Sequence, residues 1–234
     1  MIAQDQPTIF GDSVVAAVSS ADDGNMKFGR GDDDETRSAR VEFLAAHDLE
    51  PSQTTLLQVT YDTTDFCRYS ILDDEHQGDG MLEPIAQVQA DALVVTRPDH
   101  AIFLPLADCV GAIIYDARNH ILMVSHLGRH SVEQFGARKS IEYLHEYFDT
   151  HPADVQVWLS PAAGSDAYPL RAFNGRGLRE VVTAQLIEAG VSFECIEVAT
   201  VNTTDSDDYF SHSEFKAGER DFDGRFAIVA MMRD

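Results

Sequence analysis

The longest apolar blocks in this chain fall close together, between residues 91 and 131. Residues 101–106, 110–115 and 121–125 are runs of strand length, rich in Val, Ile, Leu and Phe and bounded by turn residues. Such continuous runs suit strands buried on both faces rather than on one. The tripeptide Ala107-Asp108-Cys109 separates the first two runs, and the third delivers His126 and then Gly128. One thiol and one imidazole therefore sit at the ends of core strands, where a rigid scaffold can hold reactive groups.

The same patterning predicts the flanking elements. Residues 8–20 read as one or two strands, 54–61, 155–159 and 193–201 as single strands, and 226–232 as a final strand. Residues 21–35 are polar, glycine-containing and acidic, which predicts a loop whose last carboxylates complement the dipole of a helix over 35–47, with Ala39, Phe43 and Leu44 inward and Pro51 beyond its end. Residues 70–84 read as a turn-rich, exposed acidic insertion containing His76. Ser131 and Gln134 have the spacing of a capping box, predicting one helix over 131–149 with Phe135, Ile141, Leu144, Tyr147 and Phe148 as its buried stripe. Asn174 is placed to cap a helix over 177–189 that ends at Gly190. No repeat or linker divides the chain, so the expectation is a single α+β domain over 1–234, layered, with mixed β-sheets and flanking helices.

Charge narrows the partners. The 234 residues include 40 acidic against 17 basic ones, a net charge of −23. Such a surface argues against nucleic acid or anionic membranes as partners, and solubility or adaptation to salt accounts for it. It also repels phosphate-bearing substrates unless a local cluster of basic groups reverses the field. The three cysteines, Cys67, Cys109 and Cys195, fit reduced thiols rather than a disulfide framework. Gln4, Asp5 and Gln6 interrupt any signal-peptide core after Met1, and no apolar run reaches the length of a membrane span, so a cytoplasmic location is expected.

A cysteine and a histidine 17 residues apart support two chemistries. Imidazole can take the proton of a nucleophilic thiol, or both can bind zinc. Two ligands are one short of the usual catalytic zinc site, and a buried cysteine acting as a small hydrophobe is the simplest alternative.

The surrounding residues carry more information. Leu106-Ala107-Asp108-Cys109, then Asp116, then His126-Leu127-Gly128 follow the pattern T-A-D-C-x-P-x-x-x-x-D…H-A-G-W-R-G. Asp91-Ala92-Leu93-Val94 precedes this unit. Ser160-Pro161, Tyr209-Phe210-Ser211-His212 and Asp223-Gly224-Arg225 follow it in matching order. The chain resembles the bacterial laccase-domain or polyphenol oxidase family, whose members are mostly described as zinc-dependent purine nucleoside phosphorylases. The resemblance implies zinc on Cys109, His126 and a third group, with purine nucleoside and phosphate as small-molecule substrates. It implies either phosphorolysis at the ribose anomeric carbon or deamination of adenosine at C6. Asp108 would orient His126 or handle a proton, or be a structural acid at the strand end. Copper oxidation is disfavoured, because histidine-rich clusters are absent.

The departures have a common direction. The family's third ligand comes from Q-V-H-G, and here Gln58-Val59 is followed by Thr60. Arg129 and His130 stand at the W-R positions, and His212-Ser213-Glu214 replaces a Y-R-R sequence. A family cysteine near 167–168 is missing. Zinc affinity should fall unless His130, His212 or His76 enters the site. Phosphate affinity should fall unless Arg129 or Arg97 substitutes; Arg129, His130 and His212 are the candidate substrate and phosphate contacts. Two other functions stay open: a metal-free Cys109–His126 hydrolase or amidase, which rests on fold analogy, and an inactive relative that binds a ligand or partner. Oligomeric state is open.

Overall fold

The central apolar runs become the middle strands of two sheets. A computed structural model describes residues 5–233; Met1–Gln4 and Asp234, with the first residues of the stretch read for a leader, lie outside it. Among the described residues the elements are β1 (Val14–Val18), α1 (Asp33–Ala45), β2 (Thr54–Leu56), β3 (Tyr69–Ile71), β4 (Ala92–Val95), β5 (Ala101–Leu106), β6 (Val110–Asp116), β7 (Ile121–Leu127), α2 (Arg129–Glu133), α3 (Gly136–Phe148), β8 (Val155–Leu159), α4 (Leu178–Glu188), β9 (Ile196–Val198), α5 (His212–Ala217) and β10 (Phe226–Met232). Four strands form a sheet in the order β1-β10-β5-β2, and six form a second in the order β3-β4-β7-β6-β8-β9. Both are mixed, antiparallel at the centre with parallel edge pairs β2–β5, β3–β4 and β8–β9. The fold is α+β, as the sequence patterning predicts.

Residue alternation explains the layering. In β6, Ile113 and Tyr115 point between the sheets, while Val110, Ala112 and Ile114 face the helices. The inter-sheet layer also takes Leu122 and Val124 of β7, Ile102 and Leu104 of β5, Phe226 and Ile228 of β10, and Trp158. Ile141 and Leu144 of α3 and Val181, Val182 and Leu186 of α4 cover the outer face of the six-stranded sheet. Phe43 and Leu44 of α1 cover the outer face of the other. The order is helix, sheet, sheet, helix. This explains why β6, β7 and β10 are buried throughout and read as unbroken apolar runs. Each fully buried Leu, Ile or Val contributes about 1.5–3 kcal/mol, so the inter-sheet layer and the layer under α3 and α4 both hold the fold together.

Several boundaries differ from the sequence reading. The acidic turn does cap a helix, with the Asp32 carboxylate accepting from Asp34 and Glu35 backbone N–H at 2.8 and 3.1 Å. The expected helix over 131–149 is two helices, because Phe135 takes a left-handed φ of 62°. Ser131 lies inside α2, not at a cap. The Gln134 side chain turns to the 64–66 loop, donating to the Thr64 carbonyl at 2.8 Å and accepting from Phe66 N–H at 3.0 Å. Phe135 and Tyr147 are exposed, and Ile141 and Leu144 make the buried stripe. Asn174, at φ 57°, ends a short turn, and Gly177 caps α4. The strand expected over 54–61 stops at Leu56, and that over 193–201 shortens to β9 because 193–195 form a helical turn. The 70–84 insertion is anchored rather than free, since Leu72 and Met81 are buried and β3 pairs with β4.

Candidate functional site

A link of three residues joins the two sheets between β5 and β6. β5 belongs to one and β6 to the other, and Ala107-Asp108-Cys109 carries the chain across between them. Asp108 makes the turn at a left-handed φ of 71°, a conformation that costs non-glycine residues energy but that Asp tolerates better than most. Its carboxylate holds the turn, accepting from the Thr203 hydroxyl at 2.8 Å and the Ser213 N–H at 2.7 Å. Its carbonyl accepts from Ala163 N–H at 2.9 Å. The hydrogen-bond partners of this buried carboxylate are therefore Thr203 and Ser213, not His126, which is the arrangement of a structural acid.

Cys109 and His126 meet where the sheets part. His126 has the parity of Leu122 and Val124, so it points between the sheets, and its backbone pairs with Gly111. A Cβ on Gly111 would meet Ile228 Cδ1 at 2.5 Å and Leu106 Cδ1 at 2.7 Å, so a side chain here would have to push both methyls aside. At Gly128 a Cβ would meet His126 Cε1 at 2.9 Å and Cys109 Sγ at 3.0 Å. The sulfur and the ring thus face a common point. Burial pushes the Cys109 thiol up to about 12, with Asp108 adding to the rise and Arg225 and Arg129 opposing it. Burial also pushes His126 down to about 4, against the pull of Asp91. In this environment a protonated thiol faces a neutral imidazole at neutral pH.

These groups line a cavity of about 430 Å³, within the usual range of small-molecule sites. Asp108, Cys109, His126, Arg129, His130 and His212, the residues singled out in the sequence, all border it. Part of its wall is aromatic: Phe66 stacks on His130 with ring centroids 4.6 Å apart, Tyr61 lies beside Phe66, and the Arg129 guanidinium sits 4.4 Å from the Tyr168 ring centroid. Another part is cationic, with Lys27, Arg30, Arg40 and Arg225 among the bordering residues. Arg97 and His76 lie elsewhere, paired with Asp74 and Asp73. His212 donates from Nδ1 to the Asp223 carboxylate at 2.9 Å.

Thiolate sulfur and imidazole nitrogen are donors that zinc prefers, so Cys109 and His126 fit the metal by type. The third position does not. Thr60 is not among the residues bordering the cavity, and its hydroxyl accepts from Arg68 at 3.0 Å. Arg68 in turn clamps the buried Asp91 carboxylate at 2.8 and 3.2 Å. Among the described residues no group of three or more His, Cys, Asp or Glu side chains could hold a metal ion. His130, His212 and His76 do not complete one. The donor set is one ligand short of a catalytic zinc site.

The sequence reading missed Lys27, Arg30, Arg40, Tyr61 and Phe66. Arg30 and Lys27 carried a signal, two cations bracketing Phe28 inside an otherwise acidic loop, and Arg225 had been noted only as part of a motif.

A family model described as multi-copper polyphenol oxidoreductase laccase matches residues 15–175. A curated relative from Bacteroides thetaiotaomicron, named purine nucleoside phosphorylase, is 23% identical over 154 residues. That match spans 56% of this chain and about half, 55%, of the relative's length. Two solved structures share the fold. The hypothetical protein YfiH of Bacillus licheniformis has a TM-score of 0.86 at 18% identity, covering 99% of this chain and 97% of that one. YlmD of Geobacillus stearothermophilus has a TM-score of 0.87 at 18% identity, covering 100% and 98%. No described helix is long and apolar enough to cross a membrane.

Proposed function

Since the chain belongs to the family described as multi-copper polyphenol oxidoreductase laccase, we propose that its cavity is the active site of an enzyme that cleaves purine nucleosides with phosphate. The observation that carries this reading is the convergence of Cys109 Sγ and the His126 ring on one point of a cavity with both aromatic and cationic walls. Aromatic faces suit a purine, through stacking on Tyr61, Phe66 or Tyr168, and cations suit the phosphate. The name of the Bacteroides relative supports the same substrate pair.

In this reaction a phosphate oxygen attacks the ribose anomeric carbon as the carbon–nitrogen bond to the purine breaks. The bonding electrons leave with the base, and the proton of dihydrogen phosphate passes to a purine nitrogen. The products are ribose 1-phosphate and free base, so atoms and charge balance. The protein's part is to desolvate and align the reactants. His126, neutral, has one ring N–H to offer to a bound reactant. Arg129, braced on Tyr168, sets a positive charge near the sulfur. Among the described residues a metal here would have only Cys109 and His126 as ligands.

The raised thiol disfavours the hydrolase or amidase alternative, which needs a thiolate. The missing third donor favours a second reading, nucleoside binding without turnover.

The test is chromatography of adenosine and inosine incubated with the protein, with and without phosphate. Zinc per chain is measured on the same samples, wild type beside Cys109→Ala and His126→Ala. Phosphate-dependent release of base, lost in both variants, is the expected result. Inosine formed from adenosine without phosphate would replace phosphorolysis by deamination. Binding with no product would leave the second reading, and near one zinc per wild-type chain would mean that a further ligand joins Cys109 and His126.

A further inference from the structure

One end of the cavity carries more positive charge than the protein around it neutralises. Lys27, Arg30, Arg40 and Arg225 all border it, in a chain whose net charge is −23. Arg30 and Arg225 share a single carboxylate, Asp223, with the Arg225 contact at 2.7 Å. Arg40 is buried and makes only carbonyl contacts, to Met26 at 2.9 Å, Gly80 at 2.9 Å and Met81 at 3.0 Å, with its guanidinium against the Phe28 ring. Neither Arg40 nor Lys27 has an ion-pair partner among the described residues. The other bordering carboxylates are engaged: Asp91 by Arg68, and Asp108 by Thr203 and Ser213.

This end is also built to stay in place. Asn25 ties its two loops together, donating to the carbonyls of Lys27 and Arg30 at 2.7 Å each and accepting from the N–H groups of Lys27 and Arg225 at 3.2 and 3.0 Å. Met26 N–H donates to the Arg225 carbonyl at 2.8 Å. Cations crowded against each other repel and cost desolvation energy, so a bound anion would relieve a preorganised excess of this kind.

We propose that residues 27–30 and 223–225 form an oxyanion subsite that seats a phosphoryl group on Lys27, Arg30 and Arg225. This deepens the functional reading above and rests on it for the role of the anion, though not for its binding. It replaces the arginines that the resemblance locates at 213 and 214 with cations from another part of the chain. Two arginines present forked donors to tetrahedral oxygens, and Lys27 adds a point charge. Two sources share this chemistry, inorganic phosphate and the monoester of a nucleotide.

Calorimetric titration of the full chain with inorganic phosphate alone, and separately with adenosine 5′-monophosphate, tests the proposal. Lys27→Gln is the first variant because Lys27 has no ion pair to lose, and Arg30→Gln is the second; thermal melts check that both are folded. Phosphate binding weakened about tenfold or more in each variant supports the subsite with free phosphate as its occupant. The same loss seen only with the monoester supports it with a nucleotide as occupant. Equal affinity of wild type and both folded variants for both probes, or no binding of either probe, overturns it. Failure of the functional reading looks different: phosphate binds and depends on Lys27, yet no nucleoside is consumed.

Discussion

The Cys109 sulfur and the His126 ring both border the point that a methyl group at Gly128 would take, at 3.0 and 2.9 Å from it. Gly128 has a φ of −85°, open to any residue, so its lack of a side chain serves the gap and not the backbone. Gly128→Ala should therefore lower turnover about a hundredfold while shifting the melting temperature little. Steady-state kinetics beside a thermal melt check this. A variant with wild-type turnover would mean that the space beside sulfur and ring is not where chemistry occurs.

The Asp108 turn should behave as structure. Removing its carboxylate leaves the Thr203 hydroxyl and the Ser213 N–H unpaired beside a left-handed backbone. Asp108→Ala should cost about 2–4 kcal/mol, and Asp108→Asn, which tolerates left-handed φ and keeps one acceptor, about 1 kcal/mol. Urea unfolding measures both. Equal losses would show that charge, not shape, matters at this position.

Arg68 and Asp91 form a pair in which one partner is 2% exposed. Arg68→Ala strands that carboxylate and should destabilise the fold by about 3–5 kcal/mol, whereas Arg68→Ala with Asp91→Asn should recover a large part of the loss. A double-mutant cycle gives the coupling, and additive effects would refute it.

His100 links stability to pH. Its ring lies 2.7 Å from the Thr55 hydroxyl, and burial, with Arg97 and His76 adding to it, pushes it down to about 4. The unfolded chain takes up this proton near pH 6.5, the folded chain only near 4, so the contribution is full above the unfolded value and is lost as pH falls between them. Wild type should lose about 2–3 kcal/mol more than His100→Gln between neutral pH and pH 4.5. Parallel losses in urea midpoints would contradict the assignment.

The apolar runs over 101–106, 110–115, 121–125 and 226–232 are legible because burial on both faces leaves no polar interruption within them, and Cys109 and His126 are legible beside their ends. What composition hid was local. The loop over 21–35 is acidic on average, which masks Lys27 and Arg30, although these two reach the cavity while the carboxylates at 32–35 serve a helix. The break at Phe135 was invisible because nothing in Ser131-Val132-Glu133-Gln134 reveals that Gln134 is committed to a loop about 70 residues away. Thr60 stands out in the sequence at the family's histidine position, but its hydrogen bond from Arg68 has no sequence signature.

The three-residue crossing at Ala107-Asp108-Cys109 has a consequence for folding order. Its thiol enters with the six-stranded sheet, while Leu106, Pro105 and the loop before β10 come with the four-stranded one. A chain in which either sheet has formed alone holds half a cavity. Ligand binding regained during refolding therefore reports that both sheets are in place, and a bound ligand that touches both opposes their parting.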